Sequence, residues 1–335
     1  MKNLSMDNLI GVLSFTLSAV LLIFAAWRFR EVRIAIRRLT VILIILIIPL
    51  VVIHFPYDSD TPARKAQTSE VEQYYTQEFA GEPEGTKSKG YLAFALQEEA
   101  MHEHIKRRVS DFVERYGVKQ RHVLEIGAGT GFLQDVVDDY TGLDIAPTAR
   151  RFFHKRFVAG SATALPFPDN EFDAIWSIYV YEHVTNPEQG FAESRRILRS
   201  GGLIFLMPFW NCTSWAADGY EVRPFCDFDL WGKMIKASLV IRAQPFFILS
   251  YRYPIRFLRL LSASFSRKPT QLRYKLLKPN FSKYWGPDSD AVNSIDRFEV
   301  LQWFLSRGDE CLNCSVMWDF WYNEGPLILR INKPQ

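Results

Sequence analysis

The chain has 335 residues, 40 Lys or Arg against 37 Asp or Glu, and 48% hydrophobic residues including 26 Phe and 9 Trp. Such a composition excludes global disorder and allows a well-buried core, while a net charge of +3 argues against a protein that coats nucleic acid. Four cysteines exclude a disulfide scaffold and fit a reducing compartment.

Leu9 to Trp27 is a run of 19 residues without a charge, and Leu39 to Phe55 is a second run of 17 that contains Pro49. A helix crosses the hydrocarbon layer with about 20 apolar residues, and about 17 is the lower limit. Residues 1–55 are therefore expected to form a membrane anchor of one or two helices. A signal peptide would need a shorter apolar stretch and a cleavage site of small residues. Arg28, Arg30, Arg33, Arg37 and Arg38 face a single acid, Glu31, between the runs. Short basic loops stay in the cytoplasm. Either the first run alone spans and the second lies at the interface, or both span against that rule.

Residues 56–90 read as a polar linker with Pro and Gly. From Tyr91 to Tyr116, Leu92, Leu96, Met101, Ile105, Val109, Phe112 and Val113 recur at helical spacing, and Gly117 supplies a stop. Short apolar strands then alternate with helices. Strands are expected at His122–Ile126, Thr141–Ile145, Phe157–Ala159, Phe172–Ile178 and Leu203–Met207. Helices are expected at Phe132–Tyr140, Pro147–Phe153 and Pro187–Leu198. This order predicts an α/β fold with a doubly wound parallel sheet, its core at 91–210.

The first strand ends in Val-Leu-Glu-Ile-Gly-Ala-Gly-Thr-Gly, residues 123–131. Gly127, Gly129 and Gly131 permit a tight turn and close approach of a ligand at the mouth of such a sheet. The spacing is G-x-G-x-G, not the G-x-G-x-x-G of a dinucleotide fingerprint. Glu125, two residues before the loop, is a poor neighbour for pyrophosphate and suits a positively charged cofactor. Asp144 ends the second strand, placed to accept from both hydroxyls of a ribose.

With these motifs, and with Gly160–Asp169 and Phe172–Ser177 after them, residues 122–207 resemble a class I S-adenosylmethionine-dependent methyltransferase of the type 11 group. The resemblance implies a Rossmann-like seven-stranded sheet with its last strand antiparallel, and S-adenosylmethionine as cofactor. It also implies roles. Gly127, Ala128, Gly129 and Gly131 would cradle the methionine portion, and Glu125 would reach its ammonium through water or the loop backbone. Asp144 would hold the ribose, Ile145 would pack on the adenine, and Ala162 would meet the adenine edge through its backbone. Ser161 stands where the family often has an acid and accepts only weakly from the adenine amino group.

The fourth strand leads into Tyr179-Val180-Tyr181-Glu182-His183-Val184. His183 has a pKa suited to removing a proton from an oxygen acceptor, with Glu182 as the alternative base. The competing reading is that both residues cap the next helix or bond the loop.

Lys233 to Lys283 holds 12 Lys or Arg and no Asp or Glu, interleaved with Phe and Tyr. Residues 211–290 are expected to be an insertion that faces substrate or anionic lipid, with 255–261 as an interfacial helix. A solvated basic face is the bland alternative, and nucleic acid is not the expected partner. Residues 291–335 should complete the core with a helix at Asp296–Ser306 and strands at Val316–Trp321 and Leu327–Ile331. Cys311 and Cys314 form a C-x-x-C without a second pair, so no metal is expected. The expected function is a membrane-bound methyltransferase, catalytic on the cytoplasmic face, acting on a hydroxyl of a lipid-linked saccharide or other amphiphile. Quinone C-methylation and a non-catalytic subunit of a membrane complex are the rivals.

Overall fold

The computed structural model describes residues 24, 28–58, 67–81, 92, 96, 99–242, 244–265, 268–281, 288–314 and 324–333. The α-helices among them are α1 (Arg30–Asp58), α2 (Thr68–Ala80), α3 (Glu99–Tyr116), α4 (Pro187–Ile197), α5 (Leu230–Arg242), α6 (Pro245–Phe265) and α7 (Arg297–Leu305). The strands are β1 (Val123–Ile126), β2 (Tyr140–Asp144), β3 (Arg156–Ala159), β4 (Phe172–Ile178), β5 (Leu198–Met207), β6 (Tyr274–Leu276), β7 (Asn293–Ile295), β8 (Glu310–Cys311) and β9 (Leu327–Arg330). The chain divides into two compact units. One holds Met1–Thr61, Pro224–Arg267 and Cys314–Asn323; the other holds Pro62–Arg223, Lys268–Asn313 and Glu324–Gln335.

The larger unit is built on a seven-stranded sheet in the order β3-β2-β1-β4-β5-β9-β8. Strands β1 to β5 pair in parallel, and β9 runs antiparallel to both β5 and β8. Strands β1 and β2 are buried along their whole length, as layers on both faces of a parallel sheet require. Ile126 lies opposite both Leu143 and Ser177, so the carboxyl ends of β1, β2 and β4 finish at one edge. That edge is where doubly wound sheets bind ligands. The expected strand at Val316–Trp321 lies outside the described residues; β8 takes the place beside β9. Arg195 on α4 closes this region with a bidentate pair of 2.6 and 2.9 Å to Asp309, whose side chain is fully buried.

Three expectations need correction. First, residues 132–139 form turns, not a helix. Lysine side chains take the carbonyls that helical amides would use. Lys119 Nζ donates to the Val136 carbonyl at 3.0 Å, and Lys155 Nζ donates to that of Val137 at 2.7 Å. The adjacent β-branched Val136 and Val137, followed by Asp138 and Asp139, favour helix poorly.

Second, the supposed linker contains α2, whose Val71, Tyr74, Tyr75 and Phe79 are buried. Its Gln67 and Glu70 close a capping box.

Third, the basic insertion is not one surface. Residues 274–276 pair antiparallel with 293–295 in the sheet-bearing unit. In α6, Arg256 and Arg259 are 5% and 8% exposed, whereas Ile255 and Leu258 are 57% and 65% exposed. The arginines point inward and the apolar side chains outward, the reverse of a helix that meets lipid through its charges.

The first expected span, Leu9 to Trp27, lies outside the described residues apart from Phe24. The second run falls within α1, and its side chains are described only as far as Ile45. Among the described residues no helix is long and apolar enough to cross a membrane. Cys311 and Cys314 are disulfide-bonded, and Cys212 and Cys226 are free. No group of three or more His, Cys, Asp or Glu among the described residues could hold a metal.

Candidate active site

At the carboxyl edge of the sheet opens a cavity of about 360 Å³. The glycine loop after β1 lines it, with the ends of β2 and β3 and residues 178–185 after β4. Residues of α2 and α3, Phe209, and Asp288 and Asp290 before β7 complete the lining. The volume is near the lower end of the roughly 300–1,000 Å³ range of small-molecule sites.

The loop requires glycine for two separate reasons. Gly127 and Gly129 have φ of +72° and +51°, in the left-handed region that other residues avoid. A Cβ on Gly127 would also stand 2.1 Å from Val180 Cγ2. Gly131 has φ of +69° but does not line the cavity. It gives room to Phe153, whose ring would lie 2.9 Å from an added Cβ. Ala128, buried at 3% exposure, lines the cavity between the first two glycines.

Asp144 is almost completely buried and ties the loop to its own strand end. Its Oδ2 accepts from Gly129 N and its Oδ1 from Ala146 N, both at 2.9 Å. A carboxylate can accept more than these bonds, so it can also take up a ribose hydroxyl. Burial pushes its pKa up, against the pull of those backbone donors.

Glu125 also lines the cavity and accepts from the Tyr140 hydroxyl at 2.5 Å. Burial, only partly offset by that hydrogen bond, pushes its pKa up to about 8. A buried carboxyl of this kind is prepared for a cation that restores its charge. Ile145 and Ala162 line the neighbouring wall. The Ser161 hydroxyl bonds that of Thr163 at 2.9 Å, so it is engaged in its own turn. A ribose, a cationic amine and a flat apolar ring all find matching surfaces here, and the residues present fit S-adenosylmethionine.

A second group of lining residues is chemically different. His183 Nε2 stands 3.9 Å from Glu182 Oε1, and His183 Nδ1 stands 3.9 Å from Asp290 Oδ1. Glu182 is fully buried: Oε1 accepts from Phe209 N at 3.0 Å, and Oε2 has no hydrogen-bond partner. Burial raises the Glu182 pKa, with His183 opposing. For His183, burial alone would lower the pKa, but Asp290, Glu182 and Asp288 outweigh it and raise it. Burial and the neighbouring Glu182 push Asp288 up to about 7. The structure therefore brings His183 and Glu182 into one cavity with the glycine loop, Glu125 and Asp144.

The sequence reading missed Tyr75 and Phe79, which α2 contributes, and did not pair Asp288 and Asp290 with His183. The spacing of Val71, Tyr75 and Phe79, four residues apart, was the signal inside the apparent linker.

Residues 124–206 match the family described as "Methyltransferase domain". The chain carries an S-adenosylmethionine-dependent methyltransferase domain. Its sequence is 34% identical over 106 residues to a demethylmenaquinone methyltransferase of Renibacterium salmoninarum, covering 29% of this chain and 44% of that one. It is 29% identical over 125 residues to a malonyl-[acyl-carrier protein] O-methyltransferase of Coxiella burnetii, covering 34% and 44%. Among solved structures, the YcgJ protein of Bacillus subtilis is 29% identical, with a TM-score of 0.26 over 28% of this chain and 46% of that one. The chain thus spans less than half the length of these curated relatives, and the matches concentrate on the methyltransferase domain.

Proposed function

We propose that the whole chain is a methyltransferase that O-methylates a hydroxyl of a lipid-linked saccharide or another amphiphile, at the cytoplasmic face of a membrane. The observation that carries this reading is His183, set between two carboxylates in the same cavity as the cofactor residues. When bound, S-adenosylmethionine supplies an electrophilic methyl group on a positively charged sulfur. The chain's own residues then have two tasks. One is to hold the acceptor oxygen in line, because positioning dominates such a displacement. The other is to remove the hydroxyl proton, which His183 accepts while Glu182 and Asp290 stabilise the imidazolium.

The cavity walls suit an amphiphile. Tyr75, Phe79, Met101, Ile105, Tyr179 and Phe209 are apolar or aromatic, and Glu182, His183, Asp288 and Asp290 add polar groups beside them. For membrane placement, α1 carries an uncharged run near the minimum spanning length. In the unit that contains α5, Leu230, Trp231, Met234 and Val240 are exposed, so apolar insertion is better supported than contact through charge alone. The rival reading is C-methylation of a quinone, favoured by the demethylmenaquinone methyltransferase among the relatives.

Lipid extract incubated with the protein and methyl-deuterated S-adenosylmethionine, followed by mass spectrometry, distinguishes the two. A label on a saccharide-bearing lipid supports O-methylation, and a label on the quinone ring replaces it with the rival. With the labelled acceptor, His183→Ala should lower turnover about 10²–10⁴-fold with little change in cofactor affinity. A loss below threefold removes the base role.

A further inference from the structure

His183 is held from outside the methyltransferase domain. Its Nδ1 lies 3.4 Å from the Asp290 backbone carbonyl, which can only accept a hydrogen bond. In the neutral ring that contact places the proton on Nδ1 and leaves the lone pair on Nε2, on the side of Glu182. Asp290 is itself fixed, because its Oδ2 accepts from the Tyr75 hydroxyl at 2.7 Å in a buried hydrogen bond. The Tyr75 ring meets the imidazole edge-on, with centroids 5.9 Å apart. Asn293 Nδ2 anchors the other side of the turn by donating to the Tyr181 and Val184 carbonyls at 2.8 and 2.7 Å. Val292 N adds a bond to the Glu182 carbonyl at 2.9 Å.

We infer that Tyr75 and Asp290 are positioning residues that fix the His183 ring and its tautomer, so that Nε2 is the atom that receives the acceptor's proton. This rests on the reading of His183 as the base. It makes α2 and the segment before β7 parts of the active site, although neither lies within residues 124–206. The chain Tyr75–Asp290–His183 resembles the logic of nucleophile–base–orienter sites, in which the third group selects the useful ring nitrogen.

The groups that act on His183 come from several segments. They are Glu182 in its own loop, Asp288 and Asp290 before β7, and the Tyr75 ring on α2, while Tyr179 and the Cys212 thiol beyond β5 sense carboxylates of this group. Of these, Asp290 alone both contacts Nδ1 and is tied to another element. Removing its charge should make the imidazolium easier to deprotonate.

The test reads the ring directly and needs no acceptor. The full chain has six histidines, and nitrogen-15 labelling of histidine with a His183→Gln reference assigns the signal. In the wild type, the neutral ring should carry its proton on Nδ1. In Asp290→Asn the titration midpoint should move to lower pH. In Tyr75→Phe the Nδ1-protonated share should fall, with S-adenosylmethionine affinity changed less than threefold in either variant. Unchanged tautomer and midpoint in both variants overturn the proposal, whatever happens to stability. Should one variant fail to fold, the other decides. The two readings also fail separately: His183→Ala without loss of turnover removes the base, and unaltered spectra remove the positioning.

Discussion

Gly127→Ala places one methyl group where Val180 already stands. The added carbon would lie 2.1, 2.7 and 2.9 Å from Val180 Cγ2, Cγ1 and Cβ, so either the loop or Val180 must move. Overpacking of this kind costs about 1–3 kcal/mol. The φ of +72° adds a further 1–2 kcal/mol or so for a residue with a Cβ. The sum is about 2–5 kcal/mol, and at about 2–4 °C per kcal/mol the loss is easily read in a thermal scan. Because the loop lines the cavity, S-adenosylmethionine affinity should fall as well. The double variant Gly127→Ala/Val180→Ala separates the two causes. It should recover most of the steric part, the 2.9 Å contact with Cβ remaining, while leaving the conformational part in place, compared with Val180→Ala alone. Equal losses in the single and double variants, or no loss in either, refute the steric argument.

Glu125 should couple cofactor binding to protons. Its pKa of about 8 means that it is protonated at neutral pH in the free protein, and a bound ammonium would ionise it. Binding should then release a proton below pH 8, so affinity rises with pH by up to about tenfold per unit and levels off above 8; calorimetry in buffers of different ionisation enthalpy reads the proton, and Glu125→Gln should abolish it. Asp144→Ala should weaken S-adenosylmethionine by about 1.5–3 kcal/mol, because it removes ribose acceptors and leaves Gly129 and Ala146 N–H without theirs; unchanged affinity with an intact fold would be decisive against the site. Arg195→Met leaves the Asp309 carboxylate buried without its bidentate partner, and should cost about 3 kcal/mol in denaturant unfolding.

β1 to β5 and β9 were legible because each contains a short apolar run bounded by turn residues, whereas β8, Glu310–Cys311, does not. Phe172–Ile178 was placed to the residue, and most other boundaries lie within one position. β5 begins earlier than expected, at Leu198, because Phe172 pairs with Leu198 ahead of a register shift. The cofactor half of the cavity was legible for a local reason: Glu125, the glycines and Asp144 fall within 20 residues of one another. Of the rest, Glu182 and His183 were legible, but their partners Tyr75 and Asp290 were not, because each lies more than 100 residues from His183. Polar residues around α2 masked its apolar stripe, and overall charge concealed which face of α6 is outside. The turns at 132–139 failed for another reason, since their partners, Lys119 and Lys155, lie outside the window in which helical spacing is counted.

Those two lysines change what substitution can do to the segment between β1 and β2. The segment is held by its own turn bonds, Gln134 N to the Gly131 carbonyl and Val136 N to that of Leu133, by the buried Leu133, Gln134 and Val137, and by two distant amines, each donating a hydrogen bond to a named carbonyl. Exchange at 119 or 155 therefore acts on a loop remote in sequence, and the sparing of an inconspicuous lysine would record the shape of that loop.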